Sequence, residues 1–224
     1  LQALRRSMQP YTCSICMQAI SGRPAYRDKS EAAVNVTNAA PYEVLFLDFI
    51  GPFSPPSVGN IYLCLLIIMI PSGYAFKYDC TSSMEYIDCI EQLIMIAERS
   101  NYSVKYATFR QDNQADFTTP QMRKLHDKYG IKVISGGPDE HEAQHLVENL
   151  AGQCNRRARA ALLQAPHLDD TYFAAAVGFE IMVHNALPYK PNHWIAPYRA
   201  VYGYDVDISV FRMFGSIISV HTSD

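Results

Sequence analysis

The sequence predicts an α/β fold, a mixed sheet with helices packed on it, and three observations carry that prediction. Short β-rich runs separated by Gly, Pro and Ser turns fill the stretch from Val44 to Asp79, the texture of an antiparallel meander. Helix-like and strand-like segments then alternate as far as Ile134. From about His141 the chain is strongly helical, so the strands come early and helices are left to cover them. No segment repeats at a fixed period.

The meander comprises Val44–Phe49, Ile61–Met69 and Tyr74–Asp79. Its longest apolar run, Ile61 to Ile70, ends at Pro71-Ser72-Gly73 and is about half the ~20 residues that a bilayer requires, so it reads as a buried strand. Ser83 to Arg99 places Ile87, Ile90, Ile94 and Ala97 at helical spacing behind a Ser82/Ser83 start. A short strand, Val104–Phe109, follows. Thr118/Thr119-Pro120 opens a helix that Gly130 closes after Tyr129, because proline suits the first helical turn and glycine the residue past the last. Ile131–Ile134 is the last strand, and after the Ser135-Gly136-Gly137-Pro138 loop helices run from about His141 to Leu163 and from Leu168 to Ala186.

The first forty residues are a different text, with Cys13-Ser14-Ile15-Cys16, Gly22-Arg23-Pro24 and a small, polar stretch from Ser30 to Ala40. The expected division is therefore a metal-binding fragment with its linker over 1–40 and the main domain over 41–224. Hydrophobic residues make up 49% of the chain, enough to form a packed interior and to exclude a disordered tail. The net charge of −3 excludes a global electrostatic pull toward nucleic acid, so any DNA binding is local or comes from other segments. Leu1 to Pro10 lacks a signal-peptide pattern, which leads us to expect an intracellular protein. Of six cysteines, Cys64, Cys80, Cys89 and Cys154 lie in apolar or helical stretches and read as small hydrophobes; only Cys13 and Cys16 form a unit.

Three carboxylates stand out. Asp48 lies near the end of the first strand among apolar neighbours, where an unpaired charge is costly and a cation is wanted. Asp112 follows the strand that ends at Phe109, and adjacent strands can bring both aspartates to one sheet edge. Glu148 sits early in the long helix, with thirty-five residues between it and Asp112. Such a set suits hard divalent cations, Mg²⁺ or Mn²⁺. Two ions ~3.5–4 Å apart clamp the attacking and leaving oxygens of an in-line phosphoryl displacement.

The ordered motifs around these residues resemble the integrase region of copia-type LTR retrotransposons and, more distantly, retroviral integrases. Leu47-Asp48-Phe49-Ile50-Gly51-Pro52-Phe53 looks like the first-aspartate strand, and Arg110-Gln111-Asp112-Asn113-Gln114-Ala115-Asp116-Phe117 like the second-aspartate motif, usually Asp-Asn-Gly-x-Glu-Phe. His145-Leu146-Val147-Glu148-Asn149 is similar to the stretch with the catalytic glutamate, Asn185-Ala186-Leu187-Pro188 to Asn-Arg-Leu-Pro, and Ala196-Pro197-Tyr198 through Gly203 to a Thr-Pro-Tyr-Glu-Leu-Trp-Tyr-Gly segment. Phe211-Arg212-Met213-Phe214-Gly215 resembles the family's Leu-Arg-Val-Phe-Gly.

The resemblance implies a ribonuclease-H-like fold, a mixed five-stranded sheet with helices on both faces. It implies a metal-dependent polynucleotidyl transferase and endonuclease in which Asp48, Asp112 and Glu148 hold two Mg²⁺ or Mn²⁺ ions, first for water attack near the element's DNA ends and then for attack of the 3′-hydroxyl on target DNA. Its partners would be double-stranded DNA and further copies of the chain, at least a dimer, with no membrane, and its place of action the nucleus. Cys13 and Cys16 resemble the second half of a His-His-Cys-Cys module and would bind Zn²⁺ only with two histidines supplied upstream of Leu1, since structural zinc wants four ligands.

Several positions depart from the family. Gln114 replaces a glycine, Asp116 a glutamate, and Asn149 a basic residue, while Gly152 stands inside the long helix. Counting ~3.6 residues per turn puts Asn155 and Arg159 near the Glu148 face, which makes them the candidates for DNA contact. Two other readings compete: a catalytically decayed or domesticated relative kept for DNA binding or assembly, and a ribonuclease-H-type nuclease acting on RNA–DNA hybrids.

Overall fold

A computed structural model of the chain describes residues 39–111, 119–135 and 141–217. The strands are β1 (Val44–Ile50), β2 (Leu63–Ile70), β3 (Tyr74–Cys80), β4 (Thr108–Gln111) and β5 (Lys132–Ser135). The α-helices of the described residues are α1 (Tyr86–Arg99), α2 (Pro120–Tyr129), α3 (His141–Gln164), α4 (Phe173–Ala186) and α5 (Pro197–Tyr202). They form one five-stranded sheet in the order β3-β2-β1-β4-β5. β1, β2 and β3 pair antiparallel, whereas β4 pairs parallel with β1 on one side and β5 on the other. The mixed sheet expected from the sequence is thus present.

Alternation along β1 builds two cores. Leu45 and Leu47 join Leu65, Ile67 and Met69 beneath Ile90, Leu93 and Ala97 of α1 and Met122 and Leu125 of α2. Phe46 and Ile50 point the other way and join Leu66 and Ile68 beneath Val147, Leu150, Cys154 and Ala158 of α3 and Val177 and Ile181 of α4. Successive strand side chains face opposite sides of a sheet, so a strand with helices on both faces must be apolar at nearly every position. β2 obeys this, with seven of its eight residues buried, and each such Leu or Ile stabilises the fold by ~1.5–3 kcal/mol.

Local chemistry sets the ends. The Thr119 side chain accepts a hydrogen bond from the Met122 N–H at 3.4 Å, Pro120 opens α2, and Gly130 closes it at φ 64°. The strand expected over Val104–Phe109 begins later, at Thr108, and runs on to Gln111. The reason is a turn at Lys105-Tyr106, where Tyr106 takes φ 67° and the Ala107 N–H donates to the Val104 carbonyl at 3.0 Å. The helix expected from Leu168 is interrupted in the same way: Asp169 caps a 3-10 turn over Asp170–Tyr172, and α4 starts at Phe173. No helix among the described residues is long and apolar enough to cross a membrane. The proposed zinc fragment, with Cys13 and Cys16, lies outside the described residues.

β3 lies at the sheet edge, and an edge strand exposes unpaired backbone groups. Asn185 of α4 covers those of Ala75. Its Oδ1 accepts from the Ala75 N–H at 2.8 Å and its Nδ2 donates to the Ala75 carbonyl at 2.8 Å, so one side-chain amide stands in for a neighbouring strand. The adjacent His184 lies 2.9 Å from the Gly73 carbonyl through Nε2. Both residues are buried. Burial pushes the His184 imidazole below its ordinary pKa, against the opposing pull of the Gly73 carbonyl, and Arg157 pushes it the same way as burial.

Asn185→Ala removes both hydrogen bonds and strands the Ala75 N–H and carbonyl; we expect a loss of about 2 kcal/mol, read as a lower urea midpoint at unchanged slope. His184 is neutral in the fold, and the unfolded chain takes up the proton first. Its contribution is therefore present above the unfolded pKa of ~6.5 and lost as pH falls from there toward the depressed folded value. Urea unfolding between pH 7.5 and 5.5 should show this decline, and His184→Gln should flatten it.

Candidate active site

β1 is the strand at which the sheet changes direction of growth: β2 and β3 are added on one side of it, β4 and β5 on the other. At such a switch point the chain leaves neighbouring strands in opposite directions and opens a crevice beyond their carboxyl ends. Asp48 lies toward that end of β1. It is half-buried, and its Oδ1 accepts a hydrogen bond from the Phe49 N–H at 2.8 Å. Being two residues from both Phe46 and Ile50, it belongs to the face that α3 covers.

In the parallel pairing, Phe46 stands opposite Arg110 and Leu47 opposite Gln111. The residue before Asp48 in sequence is thus paired with the residue before Asp112. Asp112 itself lies outside the described residues.

Glu148 rides on α3 and is exposed. Val147 and Leu150 beside it are buried in the same core as Phe46 and Ile50, the residues that bracket Asp48. Asp48 and Glu148 are therefore carried on one side of the sheet, by a strand and by the helix packed upon it. Both offer hard oxygen donors of the kind Mg²⁺ takes.

Beneath the end of β4 lies a polar cluster that sequence reading missed. Gln111 is 1% exposed, so its side-chain amide must find partners inside the protein. The Tyr86 hydroxyl donates to Gln111 Oε1 at 3.4 Å and lies 3.1 Å from His126 Nε2. Burial pushes the tyrosine hydroxyl up and the histidine down, so both are held neutral. The cluster ties α1 and α2 to the residue from which the chain enters Asp112. Its only trace in the sequence is that Tyr86 and His126 fall on the apolar faces of their helices.

Arg110 is the second feature that the motif alone did not explain. Its guanidinium carbon lies 5.6 Å from the centroid of the Phe46 ring, so it projects to the Asp48 side of the sheet. Its Nε is buried without a hydrogen-bond partner among the described residues. A cation on that side lowers the cost of gathering carboxylates there.

The two candidates for DNA contact differ. Arg159 is exposed beside Pro52, Phe53, Pro55 and Leu163. Asn155 is half-buried, with its Oδ1 sealed from solvent and unpaired among the described residues.

No protein-family model matches the chain, and no curated protein matches it in sequence. Solved structures do match in fold. A chain of the simian T-cell lymphotropic virus intasome in complex with PP2A regulatory subunit B56 gamma superposes with a TM-score of 0.58 at 14% identity, over 82% of this chain and 61% of that one. This chain thus spans under two thirds of the intasome chain. The HTLV-2 integrase catalytic core domain, solved with magnesium in a trimeric form, gives 0.53 at 17% identity over 72% of this chain and 97% of that one. The BIV integrase catalytic core domain gives 0.52 at 19% identity over 72% and 95%. The chain has the ribonuclease-H-like α/β fold of retroviral integrase catalytic cores.

Proposed function

We propose that this chain is the catalytic core of an integrase, a metal-dependent polynucleotidyl transferase that trims 3′ DNA ends and joins them to target DNA. The observation that carries the reading is the pairing of Leu47, the residue before Asp48, with Gln111 at the end of β4, under a helix whose Val147 and Leu150 pack in one core with Phe46 and Ile50. It supports a cluster of Asp48, Asp112 and Glu148. The fold match to integrase cores, one of them solved with magnesium, supports the same set.

In this reading the three carboxylates hold two Mg²⁺ or Mn²⁺ ions. When bound, the ions activate the attacking oxygen and neutralise charge gathering on the phosphate. The protein's own part is placement. The Phe49 N–H orients the Asp48 carboxylate, and the apolar residues around it limit water on one side. Arg110 offsets the local negative charge. Arg159 presents a positive charge on the exposed side of α3 for backbone phosphates, with Asn155 beside it on the same helix. Further copies of the chain, at least one, complete the assembly that handles two DNA ends. The remaining parts of the reading are a copia-type retrotransposon source, a nuclear site of action, and a zinc module in which Cys13 and Cys16 join two upstream histidines.

Strand transfer by the full-length protein, with labelled terminal-repeat DNA and Mg²⁺ or Mn²⁺, tests the proposal. Joined product is expected, with Asp48→Asn, Asp112→Asn and Glu148→Gln each reducing it by ~10²-fold or more. Absence of product from folded protein supplied with metal would leave a silent DNA-binding or assembly protein, and cleaved RNA without joined DNA would mark a hybrid nuclease. Metal binding is separable from turnover. Saturating Mn²⁺ should raise the melting temperature of the wild type through mass action, and the rise should shrink in Asp48→Asn and Glu148→Gln.

A further inference from the structure

By sequence Cys80 and Cys89 read as two more small hydrophobes, but the fold brings their sulfurs together. Cys80 ends β3 and Cys89 lies in the first turn of α1, with Sγ atoms 3.5 Å apart and exposures of 0% and 4%. The other described thiols lie elsewhere: Cys64 and Cys154 belong to the core on the opposite face of the sheet, and Cys64 donates to Asp79 Oδ1 at 3.1 Å. Between Cys80 and Cys89 run exposed Thr81, Ser82 and Met84, so only a surface turn separates the pair along the chain. That turn is braced by the Glu85 carboxylate, which accepts from the Thr81 N–H at 3.1 Å and from the Thr81 hydroxyl.

We propose that Cys80 and Cys89 form a dithiol that closes to an intramolecular disulfide on exposure to a peroxide, locking the first turn of α1 to the end of β3. The pair is polarised for this. The contact with Cys89 lowers the Cys80 thiol, burial opposes it, and a backbone bond at Leu65 adds to the lowering; the same contact, together with burial, raises Cys89. In the proposed step Cys80 is the attacking sulfur.

Its thiolate attacks one peroxide oxygen, the O–O bond breaks, and the departing hydroxide takes up the thiol proton as water, leaving a sulfenic acid. The Cys89 sulfur attacks the Cys80 sulfur, the S–O bond breaks, and hydroxide leaves with the Cys89 proton as a second water. Two thiols have lost two electrons, and one peroxide has become two waters. A thiol reductant reverses the change, as expected of disulfides that act transiently in reducing compartments. Tyr86, one turn before Cys89 on the same helix face, is the residue that bonds Gln111, so the lock acts on the helix that steadies the end of β4.

Peptide mapping tests this on the wild-type protein. Trypsin cuts after Lys77 and Arg99, so both cysteines fall in one peptide, residues 78–99. Reduced protein is treated with hydrogen peroxide, quenched with catalase, and denatured in iodoacetamide before digestion. We expect this peptide to be two hydrogens lighter and to take no alkyl group, and to take two when dithiothreitol precedes alkylation. The oxidised protein should melt about 5–10 °C higher, a gain absent from Cys80→Ser and Cys89→Ala. Two alkyl groups on the peptide after peroxide, or added oxygen on a single cysteine without a sulfur–sulfur bond, would overturn the proposal. The mapping needs neither variant to fold.

Discussion

Burial of β1 on both faces is the constraint from which the rest follows. Leu45 and Leu47 are committed to the core under α1 and α2, and Phe46 and Ile50 to the core under α3 and α4. A carboxylate has no place in the middle of such a strand. It is tolerated at position 48 because Asp48 is half-buried where Leu45, Phe46 and Leu47 are fully buried, and its Oδ1 accepts a hydrogen bond from the Phe49 N–H. The same packing brings α3 over β1 and so sets Glu148 on the Asp48 side.

The outer parts of the fold serve that centre indirectly. Asn185 seals the edge of β3 with two hydrogen bonds, which binds α4 to the sheet, and α4 packs with α3 in the same core. On the opposite face, the Tyr86–Gln111–His126 cluster joins α1 and α2 to the end of β4. Both arrangements put polar side chains in buried places, and buried polar groups are tolerated only with partners. Each therefore fixes one geometry more narrowly than apolar packing would, because a shifted helix would leave donors and acceptors unmet.

Much of the fold was legible because period and punctuation agree. The three meander strands, the Thr119-Pro120 start of α2 and its Gly130 end follow from alternation, proline and glycine. β4 was misplaced because Val104 and Ala107 are buried like strand residues although a turn at Tyr106 lies between them. For the candidate site, surroundings and motif likeness single out Asp48 and Glu148, and the fold carries both on one side of the sheet. The cluster of Tyr86, Gln111 and His126 could not be singled out so, since its members come from three elements far apart in sequence and none breaks a local rule. Asn185 was visible only as part of a motif; its task depends on β3 being an edge strand, which is a property of sheet order. The closeness of Cys80 and Cys89 likewise depends on where α1 begins relative to β3.

The most direct measurement is a crystal structure of the protein grown with Mn²⁺, with anomalous scattering used to place the metal. Convergence of β1, β4 and α3 predicts one or two anomalous peaks within bonding distance of carboxylate oxygens of Asp48, Asp112 and Glu148. Peaks only at other residues, or three carboxylates held apart with no peak among them at saturating Mn²⁺, would contradict it.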